Sequence, residues 1–174
     1  MRIFVAMELP EELIDALSET SAALRDSVRG RYVAPDRFHV TLAFLGEVEG
    51  SRLPALVEAL DVACQYHEPI PLALGELGSF GRRRSAVLWQ AVDGGEALPS
   101  LAADVRAALR RAGFAFDEKP LVLHVTLMRS ADLTSGELPM ALPVRGVVDT
   151  VTLFSSDLSG AHPVYTPLER FFLG

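Results

Sequence analysis

Four residues, His39-Val40-Thr41-Leu42, recur unchanged as His124-Val125-Thr126-Leu127, 85 positions later in a chain of 174. An identical word repeated at an offset near half the length points to two equivalent halves, each bringing the same strand to one shared site. The flanking sequence keeps the same order. An apolar stretch near Phe4 and then a helical pattern precede His39; an apolar stretch near Leu88 and then a second helical pattern precede His124. These separations are 35 and 36 residues. Alternation along a strand puts His39 and Thr41 on one face and Val40 and Leu42 on the other. Each half would then present a histidine and a threonine while its two apolar residues hold the core.

The rest of the chain supplies matching elements. Residues 2–9 read as a buried strand, and Pro10-Glu11-Glu12 opens a helix with Leu13, Ile14, Leu17, Leu24 and Val28 on one face, ending at Gly30. Val33 to Asp36 is a loop feeding the His39 strand. A second helix is expected over 52–65, a glycine-interrupted strand over 70–80, a basic loop over Gly81 to Arg84 and a strand over 86–92. Leu98, Leu101, Val105, Leu109 and Ala112 mark a third helix, closed by Gly113. Residues 130–142 read as loop, so the second half lacks a counterpart of helix 52–65. Two more strands, 143–154 and 163–173, flank a Ser159-Gly160 turn.

Composition narrows the chemistry. At 49% hydrophobic and 22% charged residues, the chain is of globular type and long enough to bury a core without a metal or disulfide staple. No apolar run approaches a membrane span, and the start lacks a secretory layout, so a cytoplasmic protein with no membrane partner is expected. The lone Cys64, on an apolar helical face, excludes a disulfide framework and reads as an inert thiol. A net charge of −7 opposes bulk coating of long nucleic acid. Of the 16 basic residues 15 are arginine and there is no asparagine, so a single arginine carries less functional weight than usual here.

Two imidazoles and two hydroxyls around one cavity suit metal-free phosphoryl chemistry. A neutral imidazole takes a proton from water and a protonated one gives a proton to a leaving alkoxide, both forms being accessible near neutrality. Thr41 and Thr126 can donate to non-bridging phosphate oxygens. A single His-x-Thr is commonly an idle strand pattern; two at equivalent places of a repeat are not. The spacings of a two-histidine zinc site are absent, as are dinucleotide and P-loop glycine patterns, so no metal and no cofactor is expected. His67 reads as a helix C-terminal dipole interaction, and His162 has no assignable role.

The segments MRIFVAMELPEEL, FHVTLAFLGEV, AVLW, LHVTLMRS and LFSSDLSGAHPVYTPLERFFL together resemble the 2H phosphoesterase superfamily, and within it the RNA 2′,3′-cyclic phosphodiesterases once described as 2′-5′ RNA ligases. The resemblance spans nearly the whole chain. It implies an α+β fold over residues 1–174, with two pseudosymmetric lobes around a central cleft, each a mainly antiparallel sheet with packed helices. It implies metal-independent hydrolysis of an RNA or nucleotide 2′,3′-cyclic phosphate end to a 2′-phosphate, with His39 as proton donor and His124 as proton acceptor; a monomer is expected. Arg129 falls where the family commonly has an arginine and is a candidate phosphate contact. Arg82, Arg83 and Arg84, following Phe80, resemble a rim for the rest of an RNA strand. Phe38 and Tyr165 are candidates to stack on a base or to join the core. One departure is Leu123, where relatives often carry proline before the second histidine. The alternatives are a related enzyme for 2′-5′ linkages and an RNA-end binding module without turnover.

Overall fold

The computed structural model describes residues 1–174. Strand β1 (Arg2–Met7) leads into helix α1 (Glu11–Leu24), capped at Pro10, with Glu11 and Glu12 in its first turn. There follow β2 (Arg29–Tyr32), β3 (Val40–Glu47), α2 (Leu53–Cys64), β4 (Ile70–Arg82), β5 (Ser85–Asp93), α3 (Ala97–Arg111) and β6 (His124–Asp132). The chain closes with β7 (Arg145–Val148), β8 (Thr150–Asp157) and β9 (Val164–Phe172). No helix is long and apolar enough to cross a membrane.

The fold is α+β, and every strand pairing is antiparallel. The strands run in the order β7-β4-β5-β6-β3-β1-β8-β9, with β2 beside β6. That order divides evenly. In one half β1 sits between β3 and β8; in the other β5 sits between β6 and β4. The halves join at one residue pair, Val40 opposite Val125, the second letter of each repeated word. Both valines are fully buried in an apolar core that continues through both halves.

Each motif strand also receives a backbone bond from the segment preceding the other motif. Val33 N–H donates to the Leu127 carbonyl (2.9 Å), and Asp117 N–H donates to the Phe44 carbonyl (2.8 Å). The halves are therefore laced together at the site itself. Helices α2 and α3 pack on each other, α3 also against β3, and α1 against β7.

Four local expectations change. Residues 28–32 were to end a helix and begin a loop, but Arg29–Tyr32 form β2, because β6 offers an unpaired edge that local propensity does not reveal. The single strand expected over 143–154 divides at Asp149 into β7 and β8, which pair in different halves. Gly81 and Arg82 continue β4, leaving Arg83 and Arg84 as the turn to β5. His67 is not simply a helix-end cation: its Nε2 meets the Asp104 carboxylate at 2.7 Å and ties the end of α2 to α3. Cys64 is 2% exposed and burial pushes its thiol up to about 12, which keeps it protonated and inert.

Candidate active site

The two histidines are held by the same device. A carbonyl can only accept, so the His39 Nδ1–H donates to the Arg37 carbonyl (2.7 Å) and the His124 Nδ1–H to the Val122 carbonyl (2.5 Å), each two residues back. This fixes the tautomer of the neutral ring, with Nδ1 protonated and Nε2 on the side away from the anchoring carbonyl. At His39, the Thr41 hydroxyl stands 3.1 Å from Nε2. Aromatic packing repeats as well. Phe4 lies 5.0 Å from the His39 ring and Trp89, its equivalent at the same offset of 85, lies 5.5 Å from the His124 ring. Tyr165 and Phe80 meet the two imidazoles edge-on, at 5.5 and 5.3 Å. Gly78 makes room on the second side, since a Cβ there would stand 2.3 Å from the Trp89 ring.

Burial pushes the His39 imidazole down to about 4; the Arg129 and His124 charges push the same way, and the bond to the Arg37 carbonyl opposes them. His124 is also lowered, first by burial and then by Arg129, against the bond to the Val122 carbonyl. In both rings burial thus favours the neutral imidazole.

Strand irregularities choose which side chains reach the cleft. Alternation from His124 would send Met128 to the cleft and Arg129 to the core. Against the single step from Leu88 to Trp89 on β5, β6 takes two, from Met128 to Thr126, and a second irregularity follows between Met128 and Ala131. The extra residue resets the phase: Met128 is fully buried and Arg129 lines the cleft. The bulge continues into Ser130, at φ 51°. Gly30 of β2 lies so close that a Cβ would stand 3.0 Å from both the Arg129 carbonyl and Ala131 Cα.

The cleft has a volume of about 460 Å³ and collects His39, Thr41, Thr126 and Arg129 of the expected residues. His124 is not among the residues that line this cavity, although Thr126 and Arg129 of its own strand are. Arg82, Arg83 and Arg84 do not line it either. The Arg83 guanidinium donates to the Leu133 carbonyl (2.9 Å), fastening the turn to the loop after β6. Two bonds from Thr134 hold the Asp132 carboxyl below its usual range, and the Arg84 and Arg29 charges push the same way. Phe38 belongs to the core, 5% exposed, whereas Tyr165 lines the cleft. Leu123 packs against the core, and its carbonyl accepts from Val92 N–H (3.3 Å), so the strand entry is paired without proline.

Sequence reasoning did not find Arg31, Arg37, Phe44 or His162 as cleft residues. Arg31 reaches the cleft only because β2 pairs with β6, and His162 only because the β8–β9 connection folds over it. Phe44 had a usable signal, since it stands 85 residues before Arg129. No three His, Cys, Asp or Glu side chains converge as metal ligands.

A family model described as the 2′-5′ RNA ligase superfamily matches residues 10–159. An RNA 2′,3′-cyclic phosphodiesterase of Geobacillus stearothermophilus is 34% identical over 154 residues, covering 87% of this chain and 48% of that protein; the chain thus spans about half the length of that relative. The RNA 2′,3′-cyclic phosphodiesterase of Escherichia coli K12 is 32% identical over 174 residues, covering 99% of this chain and 96% of that one. The crystal structure of TT0787 of Thermus thermophilus aligns with a TM-score of 0.88 at 30% identity, covering 99% and 98% of the two chains. The repeated motif, the two laced halves and these matches together make this chain a member of the 2′-5′ RNA ligase superfamily, the 2H phosphoesterases.

Proposed function

We propose that the protein hydrolyses 2′,3′-cyclic phosphate ends of RNA, or of small nucleotides, to 2′-phosphates by metal-independent acid and base catalysis. The observation that supports this is the pair of imidazoles anchored alike through Nδ1, with Nε2 of His39 beside the Thr41 hydroxyl, on the two strands that meet at the join of the halves. Binding alone would need no such pair, and the relatives' names describe this activity.

His124 Nε2 takes a proton from water, and the water oxygen attacks phosphorus in line with the ribose O3′. The P–O3′ bond breaks, its electron pair stays on O3′, and His39 Nε2 supplies the proton that O3′ needs. The product is a 2′-phosphate with a free 3′-hydroxyl. Thr41, Thr126 and Arg129 hold the non-bridging oxygens, where the negative charge concentrates. The division of roles follows the family resemblance, in which the first-motif histidine is the proton donor. A bound phosphodiester anion also favours the protonated His39 that the free site disfavours.

Arg82 and Arg84, exposed at the β4–β5 turn beyond Phe80, serve as a rim for RNA upstream of the end, with Arg83 bracing the turn. A monomer of one domain over 1–174, acting in the cytoplasm, fits a site completed within one chain and a single buried thiol.

Incubation with an oligoribonucleotide ending in a 2′,3′-cyclic phosphate, in EDTA, is expected to add one water by mass at an undiminished rate. Absence of turnover would refute the proposed activity, and loss of turnover to EDTA would refute its metal independence. Cleavage of an internal 2′-5′ linkage in preference to the cyclic end would reassign the substrate.

A further inference from the structure

The cleft runs against the charge of the chain. The molecule has a net charge of −7, yet four arginines (Arg2, Arg31, Arg37 and Arg129) line the cleft with His39 and His162, and no aspartate or glutamate does. None of the four guanidiniums makes an ion pair or a hydrogen bond within the protein, whereas those of Arg83, Arg106, Arg110 and Arg170 do. Free guanidiniums lining one cavity, with no carboxylate among them, are the arrangement of an anion site. The scissile cyclic phosphate carries a single negative charge, and Thr41, Thr126 and Arg129 suffice to hold it. The remaining positive charge calls for a second anion.

The surroundings of the other three arginines separate them. Arg2 stands opposite Glu47 in the pairing of β1 with β3, and Arg37 also borders a smaller cavity lined by Glu8 and Asp36. Arg31 instead stands directly opposite Arg129. Strand β2 takes up the edge of β6 that β3 leaves after Val125, with β5 on the other edge: Val33 N–H donates to the Leu127 carbonyl, Tyr32 lies opposite Met128 and Arg31 opposite Arg129. Two steps on β2, from Arg29 to Arg31, span three on β6, from Asp132 to Arg129. The irregularity beside Arg129 thus sets the two arginines abreast. Side chains directly opposite on paired strands start about 5 Å apart, and like charges there repel. Anionic groups lying against both guanidiniums relieve that repulsion.

We propose that Arg31 holds a second phosphate of the substrate, the phosphodiester on the 5′ side of the terminal nucleotide, and that the cleft therefore selects RNA ends over nucleoside 2′,3′-cyclic phosphates. This rests on the cyclic phosphodiesterase reading above and adds which substrates of that class are preferred. The cyclic phosphate and the 5′ phosphodiester flank one nucleotide. Two guanidiniums abreast match two successive phosphates, Arg129 on the one that reacts and Arg31 on the next.

The direction agrees with the rim assigned above. Beyond Arg31, β2 carries Arg29 opposite Asp132, and the charges of Arg29 and Arg84 both act on the Asp132 carboxyl. His124, the Arg129–Arg31 pair and then Arg29 with Arg84 follow one another along β6. An RNA strand that leaves the histidines in this direction meets positive charge at each step.

The test compares adenosine 2′,3′-cyclic phosphate with its 5′-methyl phosphate ester, which adds one phosphodiester charge and no second nucleoside. Wild-type kcat/KM is expected to be about 10- to 150-fold higher for the ester, the contribution of one hydrogen-bonded contact to a charged group. Arg31→Gln, at an exposed position, is expected to erase this preference while leaving the rate on the cyclic phosphate alone at its wild-type value. Arg31→Lys, which keeps the charge without the planar fork, restores part of the preference. No wild-type preference for the ester, or a preference that survives in Arg31→Gln, would overturn the proposal. An equal loss on both compounds in Arg31→Gln would place Arg31 at the reacting phosphate and overturn it as well. Absence of hydrolysis of either compound by the wild type would instead refute the phosphodiesterase reading on which the proposal rests.

Discussion

Alanine at His39 or at His124 is expected to lower kcat/KM for a cyclic-phosphate RNA end by about 10²- to 10⁴-fold each, the range for a positioned acid or base. Both substitutions should leave the fold standing, because each residue is only half-buried and the strand is held by the buried valine and leucine of the same word. The double variant should be little worse than either single one. Proton delivery to O3′ and proton removal from water belong to one transition state, so losing one partner removes most of what the other contributes. Steady-state rates beside thermal melting curves separate catalysis from folding. Independent, multiplicative losses would show that the histidines do not act in one step.

Arg129→Ala carries the second large effect, a fall of about 10²- to 10³-fold, as for removal of a charge-stabilising donor. It also has a pH signature. The proposed active form has His39 protonated and His124 neutral, and both imidazoles sit below the ordinary histidine value. In the wild type, kcat/KM should therefore be bell-shaped with its maximum below about pH 6.5, falling as pH rises through neutrality; the two limbs belong to the coupled pair. Arg129 is among the causes that lower both rings. Its removal lets both rise, so the maximum should move toward higher pH as the rate drops. A pH profile unmoved in Arg129→Ala would place the guanidinium away from the pair.

The motif halves were legible because a repeated word, an equal spacing and simple alternation all act within a few residues of His39 and His124. The three helices were legible from their apolar periodicity. Less visible were the features decided by distant partners. Arg29–Tyr32 has an Arg-Gly-Arg core with no strand signal, and it becomes a strand because β6 pairs with it and Gly30 tolerates the close approach. Asp149 divides what reads as one strand because the flanking segments pair in different halves. Alternation alone would have buried Arg129; its placement at the site came from resemblance, and the bulge supplies the physical reason. The Arg82-Arg83-Arg84 run drew attention by composition, yet it lies off the cleft, whereas Arg31 and Arg37, less conspicuous in an arginine-rich chain, line it.

The central claim is that His124 activates water against phosphorus while His39 protonates the ribose O3′. It is tested most directly by ³¹P NMR of an oligoribonucleotide 2′,3′-cyclic phosphate hydrolysed in ¹⁸O-labelled water with EDTA. The expected result is a single 2′-monophosphate carrying one ¹⁸O, formed by the wild type and lost in His39→Ala and His124→Ala. A 3′-monophosphate product, or undiminished formation of the 2′-monophosphate by either variant, would contradict it.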